Sequence, residues 1–166
     1  VLKEIDIRQV KENMVHLISD DWALVTAGKA DNFNTMTVSW GGIGELWGKD
    51  MVTLYIRPQR YTYEFLEDNN YFTLSFYPDD KKDVLKFCGA NSGRDVDKVE
   101  KTGLTPVFYE KAPYFEEAKL VLVCRKMAKS QFTPDQFIDS TIMKQYVAGD
   151  FHYIYYGAVE KVLISE

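Results

Sequence analysis

Short runs rich in Val, Ile, Thr, Tyr and Phe recur along the chain, and Gly or Pro closes most of them before they reach helical length. Runs of this length, bounded by turn residues, are the pattern of strands that bury at least one face. "DWALVTAG" (21–28) closes on Gly28. "NTMTVSW" (34–40) alternates, with Met36 and Val38 on one face and Thr35, Thr37 and Ser39 on the other. "GGIG" (41–44) is expected to break that strand, and "MVTLYI" (51–56) runs up to Pro58, which cannot continue a central strand. "YFTLSFY" (71–77) ends at Pro78, and "TPVFY", "FEEAKLVLVCRKMAKSQF" and "FHYIYYGAVEKVLI" complete the set.

Helical patterns are few. Pro58 suits the first position of a helix, because its ring fixes φ and its missing N–H has no partner there anyway. The segment from Pro58 to Glu67, with Tyr61 and Phe65 four apart, therefore predicts a short amphipathic helix. A second is expected over 79–89, stopped at Gly89, and a third over 95–103, stopped at Gly103. "TPDQFIDSTIMKQY" opens with Thr133, Pro134 and Gln136 in capping-box spacing and predicts a surface helix. Many short strands, few helices and no βαβ rhythm imply a mainly β fold, an antiparallel barrel with helices at its rim. At 166 residues, without repeats or low-complexity linkers, the chain is expected to be one domain over 1–166.

Charge and composition exclude several functions. Twenty Lys and Arg against 25 Asp and Glu leave a net charge of −5, which repels polyphosphate strands, so no nucleic-acid partner is expected. Cys88 and Cys124 form no CxxC pair, and the two histidines, His16 and His152, have no metal-ligand spacing, so no metal is expected. Both cysteines sit in apolar runs, the usual habitat of reduced buried thiols, which points to a cytoplasmic protein. No stretch approaches the roughly 20 apolar residues of a membrane span, and the first residues lack the layout of a secretion signal. No membrane association is expected.

Three stretches could carry chemistry. In "IRPQRYTYEFLE" (56–67), Arg57 and Arg60 stand at a strand-to-helix corner, where free backbone N–H groups and a positive dipole end attract phosphate. Two guanidinium groups this close repel unless an anion lies between them, and Thr62 could add a hydroxyl donor. The alternative is a surface pair of Arg60 with Glu64, one turn on. In "FCGANSGRDVDK" (87–98), Gly89, Ser92, Gly93 and Arg94 resemble an anion-cradling loop, without the spacing or the Lys of a P-loop. The alternative is a joint between helices with Ser92 as N-cap. The hydroxyl face of "NTMTVSW" could bond the polar edge of a flat heterocycle with Trp40 as a stacking wall, or could face solvent. Nucleophilic catalysis has little support, since there is no G-x-S-x-G elbow and a histidine placed like His152 is more often a structural or turn residue than a catalyst.

Taken in order, "NTMTVSWGGIG", "RPQRYTYEFLE", "YFTLSF", "FCGANSGRDVDK", "TGLTPVF" and "EEAKLVLVCRK" resemble the flavin reductase-like proteins of the flavoredoxin type, over nearly the whole chain. That resemblance implies a six-stranded antiparallel FMN-binding split barrel (Greek key) with peripheral helices, usually a homodimer holding FMN non-covalently near the subunit interface. It implies that Thr37, Ser39 and Trp40 meet the isoalloxazine ring, with Asn34 and Thr35 at its edge. Arg57, Arg60, Tyr61 and Thr62 would hold the phosphate and ribityl chain; Cys88, Gly89, Ser92, Gly93 and Arg94 would complete that wall. His152 would lie near the flavin or nicotinamide.

The chemistry then belongs to the cofactor, and no triad is needed. The first expectation is an NAD(P)H-dependent flavin reductase or related oxidoreductase; without a GxGxxG fingerprint the nicotinamide would dock transiently. The second is a flavoredoxin-type electron carrier with bound FMN and a redox partner protein. A third is a barrel without flavin that binds through its aromatic surface.

Overall fold

The computed structural model describes residues 1–108 and 111–166. Its strands, in chain order, are β1 (Leu2–Ile5), β2 (Ala23–Lys29), β3 (Asn32–Val38), β4 (Gly41–Leu46), β5 (Lys49–Ile56), β6 (Tyr71–Phe76), β7 (Pro106–Phe108), β8 (Pro113–Phe115), β9 (Leu120–Gln131) and β10 (Tyr153–Ser165). Eight form one antiparallel sheet in the order β3-β2-β6-β9-β10-β5-β4, with β1 on β10; β7 and β8 form a separate hairpin. Helices are short and peripheral: α1 (Met14–His16), α2 (Tyr61–Asp68), α3 (Lys82–Ala90) and α4 (Lys98–Thr102). The class is the expected mainly β one, with eight strands in the main sheet where six were expected.

Six of those strands do share one interior. β2, β3, β5, β6, β9 and β10 send buried side chains into a single core around Val25, Met36, Leu54, Phe72, Leu122 and Tyr155, and α2 closes it with Phe65 and Leu66. Each such side chain stabilises the fold by roughly 1.5–3 kcal/mol when fully buried. The opposite face of the same strands carries Leu24, Val121 and Val123, which pack under α3, β8 and Leu104. β2 is therefore buried on both faces, and "DWALVTAG" reads as a continuous apolar run for that reason.

Several boundaries differ from the sequence reading. "GGIG" does not break the sheet; it begins β4, an edge strand paired with β5 through Gly41↔Leu54 to Leu46↔Lys49. An edge strand needs a partner on one side only, so poor strand formers are tolerated there. Pro58 is not the first helical residue: Arg60 N–H donates to the Arg57 carbonyl at 3.2 Å, and α2 begins at Tyr61 with Arg60 as its N-cap. Proline fits the second position of that turn as well as a helix start. Gly89 lies inside the last turn of α3, which ends at Ala90 with Asn91 as its C-cap, whose side chain donates to the Phe87 carbonyl at 3.0 Å. α4 starts at Lys98, capped by Asp97, and stops at Gly103 as expected. "TPDQFIDSTIMKQY" is two 3-10 segments, Pro134–Gln136 and Ser140–Tyr146, rather than one helix. The capping box on Thr133 and Gln136 is nonetheless formed. The last residue of "TPVFY", Tyr109, lies outside the described residues.

Candidate functional site: a basic cavity continuous with an apolar one

At the corner where β5 leaves the sheet, a cavity of about 380 Å³ lies between β3, the start of α2, the end of α3 and the loop 91–97. Its lining contains Arg60, Arg94 and Lys98 against a single carboxylate, Asp95. In a chain of net charge −5, such a local excess of cations marks a site for an anion. A second cavity of about 350 Å³ shares Met36 and Arg60 with it and continues past Thr37, Ser39, Trp40, Tyr55, Arg57 and His152. A third, about 550 Å³, shares Ser39, Trp40, Tyr55 and His152 with the second. The three form one continuous groove, cationic at one end and apolar at the other.

Arg60 reaches the groove because the turn at Arg57-Pro58 aims the N-terminus of α2 at the end of α3. Its guanidinium donates to the Gly89 carbonyl at 3.3 Å, and burial lowers its pKa. Among the described residues no carboxylate pairs with it. Glu64 takes Arg94 instead, at 3.5 Å, while Arg94 also donates to the Gln59 carbonyl at 3.1 Å and lies 4.7 Å over the Tyr61 ring. Thr62 is buried, and its hydroxyl accepts from Asn34 Nδ2 at 2.8 Å. Gly93 is required here: a Cβ on it would stand 2.1 Å from Asn34 Oδ1. Ser92 bonds the Arg94 amide at 3.1 Å and shapes the loop, while Asp97 is the N-cap of the next helix.

Lys98 is the site residue that the sequence reading missed. It is buried, and its ammonium donates to the Thr35 carbonyl at 2.6 Å and the Cys88 carbonyl at 2.9 Å. Burial, with Arg60 nearby, holds its pKa at about 8. A lysine in a helical, charge-rich "DVDKVEK" reads as surface; only the packing of α4 on α3 beside β3 turns it inward.

Arg57 stands apart from this group. It pairs with Asp150 at 2.9 Å, donates to the Gln145 carbonyl at 3.0 Å, and lies 5.0 Å over the Tyr146 ring. Gln59 donates to the same carboxylate oxygen, Asp150 Oδ2, at 2.8 Å. The two arginines of the 56–67 stretch thus face different partners. One holds the connection between β9 and β10; the other faces the basic cavity.

The hydroxyl face of β3 is divided. Thr35 is buried, with its hydroxyl on Thr26 at 2.9 Å and on the Val25 carbonyl at 3.1 Å. Thr37 donates to the Leu85 carbonyl in α3, and a Cβ on Gly89 would stand 3.2 Å from Thr37 Cβ. Ser39 and the half-exposed Trp40, which follow the strand, line both the second and the third cavity. Cys88 is fully buried, its thiol pKa pushed up to about 11 by burial, and lines none of the three. Of the residues singled out in the sequence, Asn34, Arg60, Tyr61, Thr62, Gly89, Ser92, Gly93 and Arg94 meet in the basic cavity. Thr37, Ser39, Trp40, Arg57 and His152 line the next. Thr35 and Cys88 are support behind the wall.

His152 closes the apolar end. Its Nδ1 lies 2.6 Å from the Tyr146 hydroxyl, its ring 5.4 Å from Trp40, and burial with the Arg57 charge depresses its pKa to about 4. It is neutral at pH 7.

A larger cavity beside the basic one, about 600 Å³, carries Asp31, Asp95 and Asp97 against Arg94 and Lys98 and is less suited to an anion. Among the described residues no group of His, Cys, Asp and Glu could hold a metal ion, and no helix is long and apolar enough to cross a membrane.

Comparison with known proteins agrees with this architecture. No curated protein sequence matches the chain. Among solved structures, an FMN-binding protein from Thermus thermophilus with bound p-hydroxybenzaldehyde superposes with TM-score 0.71 at 21% identity, covering 99% of this chain and 82% of that one. A flavoredoxin from Methanosarcina acetivorans gives TM-score 0.70 at 20% identity, over 99% and 75%. A Streptomyces globisporus NADH:FAD oxidoreductase, in complex with NAD and FAD fragments, gives 0.67 at 17%, over 87% and 74%. Residues 15–166 match the family model described as the flavin reductase like domain, so this mainly β chain belongs to the flavin reductase-like family and has its split-barrel fold.

Proposed function

We propose that the groove holds FMN non-covalently and that the protein is an oxidoreductase that takes hydride from NAD(P)H. The observation that carries the reading is Arg60: a half-buried guanidinium without a carboxylate partner among the described residues, in a cavity where cations outnumber carboxylates three to one. A phosphate monoester, with about −1.5 to −2 charges at neutral pH, complements that charge. The fit extends along the groove. Arg60, Arg94 and the N-terminus of α2 would face the phosphate, and Gly93 keeps the wall clear of a side chain. Thr37, Ser39, Trp40 and Tyr55 supply the mixed polar and aromatic surface that a flat heterocycle needs.

When bound, FMN supplies a ring that accepts a hydride from a reduced nicotinamide. The chain's own residues bind and orient it. Lys98 stiffens the wall by tying β3 to α3, and Arg57 holds the 133–151 connection beside the ring end. Several structural neighbours are named as FMN-binding proteins, flavoredoxins or flavin reductases, which supports a flavin ligand. The likeness to flavoredoxins keeps a second reading, a carrier with bound FMN and a redox partner protein. A single domain, a homodimer and a cytoplasmic location belong to the same proposal. The two buried free cysteines accord with a reducing compartment.

The test is the visible spectrum of the purified protein and its titration with FMN and riboflavin. Bound FMN with steady-state NAD(P)H oxidation supports the reductase. Bound FMN without turnover supports the carrier. A protein that stays colourless after mixing with FMN overturns both.

A further inference from the structure

Lys98 does more than tie β3 to α3. Its Nζ donates to the Thr35 carbonyl at 2.6 Å and to the Cys88 carbonyl at 2.9 Å, which engages two of the three positions an ammonium offers. Among the described residues no third partner and no carboxylate takes the remaining one, and the little surface that Lys98 exposes lines the basic cavity and the larger cavity beside it. That position is left to whatever enters those cavities. In the ammonium it is a further donor; in the free amine it is a lone pair.

Burial and the Arg60 charge favour the amine, with a pKa of about 8. At pH 8 about half of Lys98 is therefore free amine, roughly 150-fold more than in an exposed lysine of ordinary pKa. The same cavity carries Arg60 and Arg94, whose guanidiniums suit a phosphate. A nucleophilic amine beside a phosphate clamp matches a small acyl phosphate: the phosphate lies on the arginines, the carbonyl carbon meets the amine, and the same cations stabilise the charge growing on the leaving group. A neutral ester gains no such help at the bond that breaks.

We propose that Lys98 is a site of acylation by small acyl phosphates, with Arg60 and Arg94 holding the phosphate that leaves. The Nζ lone pair attacks the carbonyl carbon, an N–C bond forms and the C–O bond to phosphate breaks. The amine proton leaves with inorganic phosphate, and nothing is oxidised or reduced. The acylated nitrogen is neutral and keeps one N–H, enough for only one of the two carbonyls. The basic cavity then holds two cations in place of three, so its attraction for phosphate groups falls. The proposal rests on a phosphate fitting the basic cavity, which it shares with the flavin reading, and not on the flavin ring.

The test applies acetyl phosphate at pH 8 to the full chain stripped of flavin and follows each lysine by peptide mass spectrometry. Lys126 is the internal control: burial lowers its pKa too, and it donates to the Leu66 and Glu67 carbonyls, but it lines none of the cavities described above. Lys98 is expected to react at least about 10-fold faster than Lys126, because only Lys98 has the reagent positioned beside it. Inorganic phosphate is expected to slow Lys98 and leave Lys126 unchanged. With p-nitrophenyl acetate, an acetyl donor that lacks phosphate, the preference is expected to vanish, and Arg60→Ala is expected to reduce it several-fold with acetyl phosphate. Equal rates at the two lysines, the same preference with p-nitrophenyl acetate, or no competition by inorganic phosphate overturns the proposal. Added FMN separates the two readings. Protection of Lys98 by inorganic phosphate but not by FMN upholds this inference while the flavin reading fails, and normal FMN binding without preferred acetylation of Lys98 sinks this inference alone.

Discussion

Arg57 and Asp150 meet at 2.9 Å, tying the residue after β5 to the last turn before β10 across 93 positions of sequence. The bond uses the guanidinium that the sequence alone would equally assign to a phosphate. It leaves Arg60, three residues on, as the cation that faces the basic cavity.

The two arginines therefore give different phenotypes. Arg60→Ala is expected to weaken FMN by about 10-fold or more while leaving riboflavin nearly unchanged, since a charge-assisted hydrogen bond contributes about 1.5–3 kcal/mol. Arg57→Ala is expected to lower stability by roughly 1–2 kcal/mol through the lost pair, and to affect FMN and riboflavin alike. Paired titrations of both flavins, with melting curves, check this; an equal loss of FMN and riboflavin in Arg60→Ala removes Arg60 from the phosphate.

Gly93→Ala puts a methyl group against Asn34 Oδ1 and the Tyr61 ring. The bond from Asn34 to Thr62 has to shift, at a cost of roughly 1–3 kcal/mol for overpacking. Denaturant midpoints measure the loss, and FMN affinity is expected to fall with it.

His152 makes the fold sensitive to acid. Its pKa of about 4 in the folded chain lies below the 6.5 of a free imidazole, so the unfolded chain takes up the proton first. Its contribution is present above pH 6.5 and is lost as pH falls toward 4. Unfolding curves from pH 7 to 4 for the wild type and His152→Asn are expected to converge as pH falls.

Lys98 acts in the alkaline range with the same electrical origin, a desolvated cation near an arginine, and the same sign of slope. Its pKa of about 8 lies below the 10.5 of an exposed lysine, so between those values the unfolded chain again holds more protons. Burial penalises the ammonium below pH 8, and that penalty is relieved as pH rises to 10.5. The stability difference between wild type and Lys98→Met is expected to move toward the wild type over that window. A difference independent of pH would show that the ammonium is not desolvated.

Periodicity and turn residues were enough to place most strands, the mainly β class and the stop of α4 at Gly103, because alternation and glycine act locally. The order of motifs was enough to identify the family and to bring Arg60, Gly93, Ser92 and Trp40 into view. Three things were decided only when distant segments met. "GGIG" became an edge strand because β5 was there to pair with it, and Arg57 took a carboxylate partner within the groove wall because Asp150 arrived from the far side of β9. Lys98 went inside because α4 packs on α3 beside β3, so that the Thr35 carbonyl of β3 and the Cys88 carbonyl of α3 receive its ammonium. Local sequence states which groups a residue carries, whereas charge pairing and burial depend on what the fold places within a few ångströms of them.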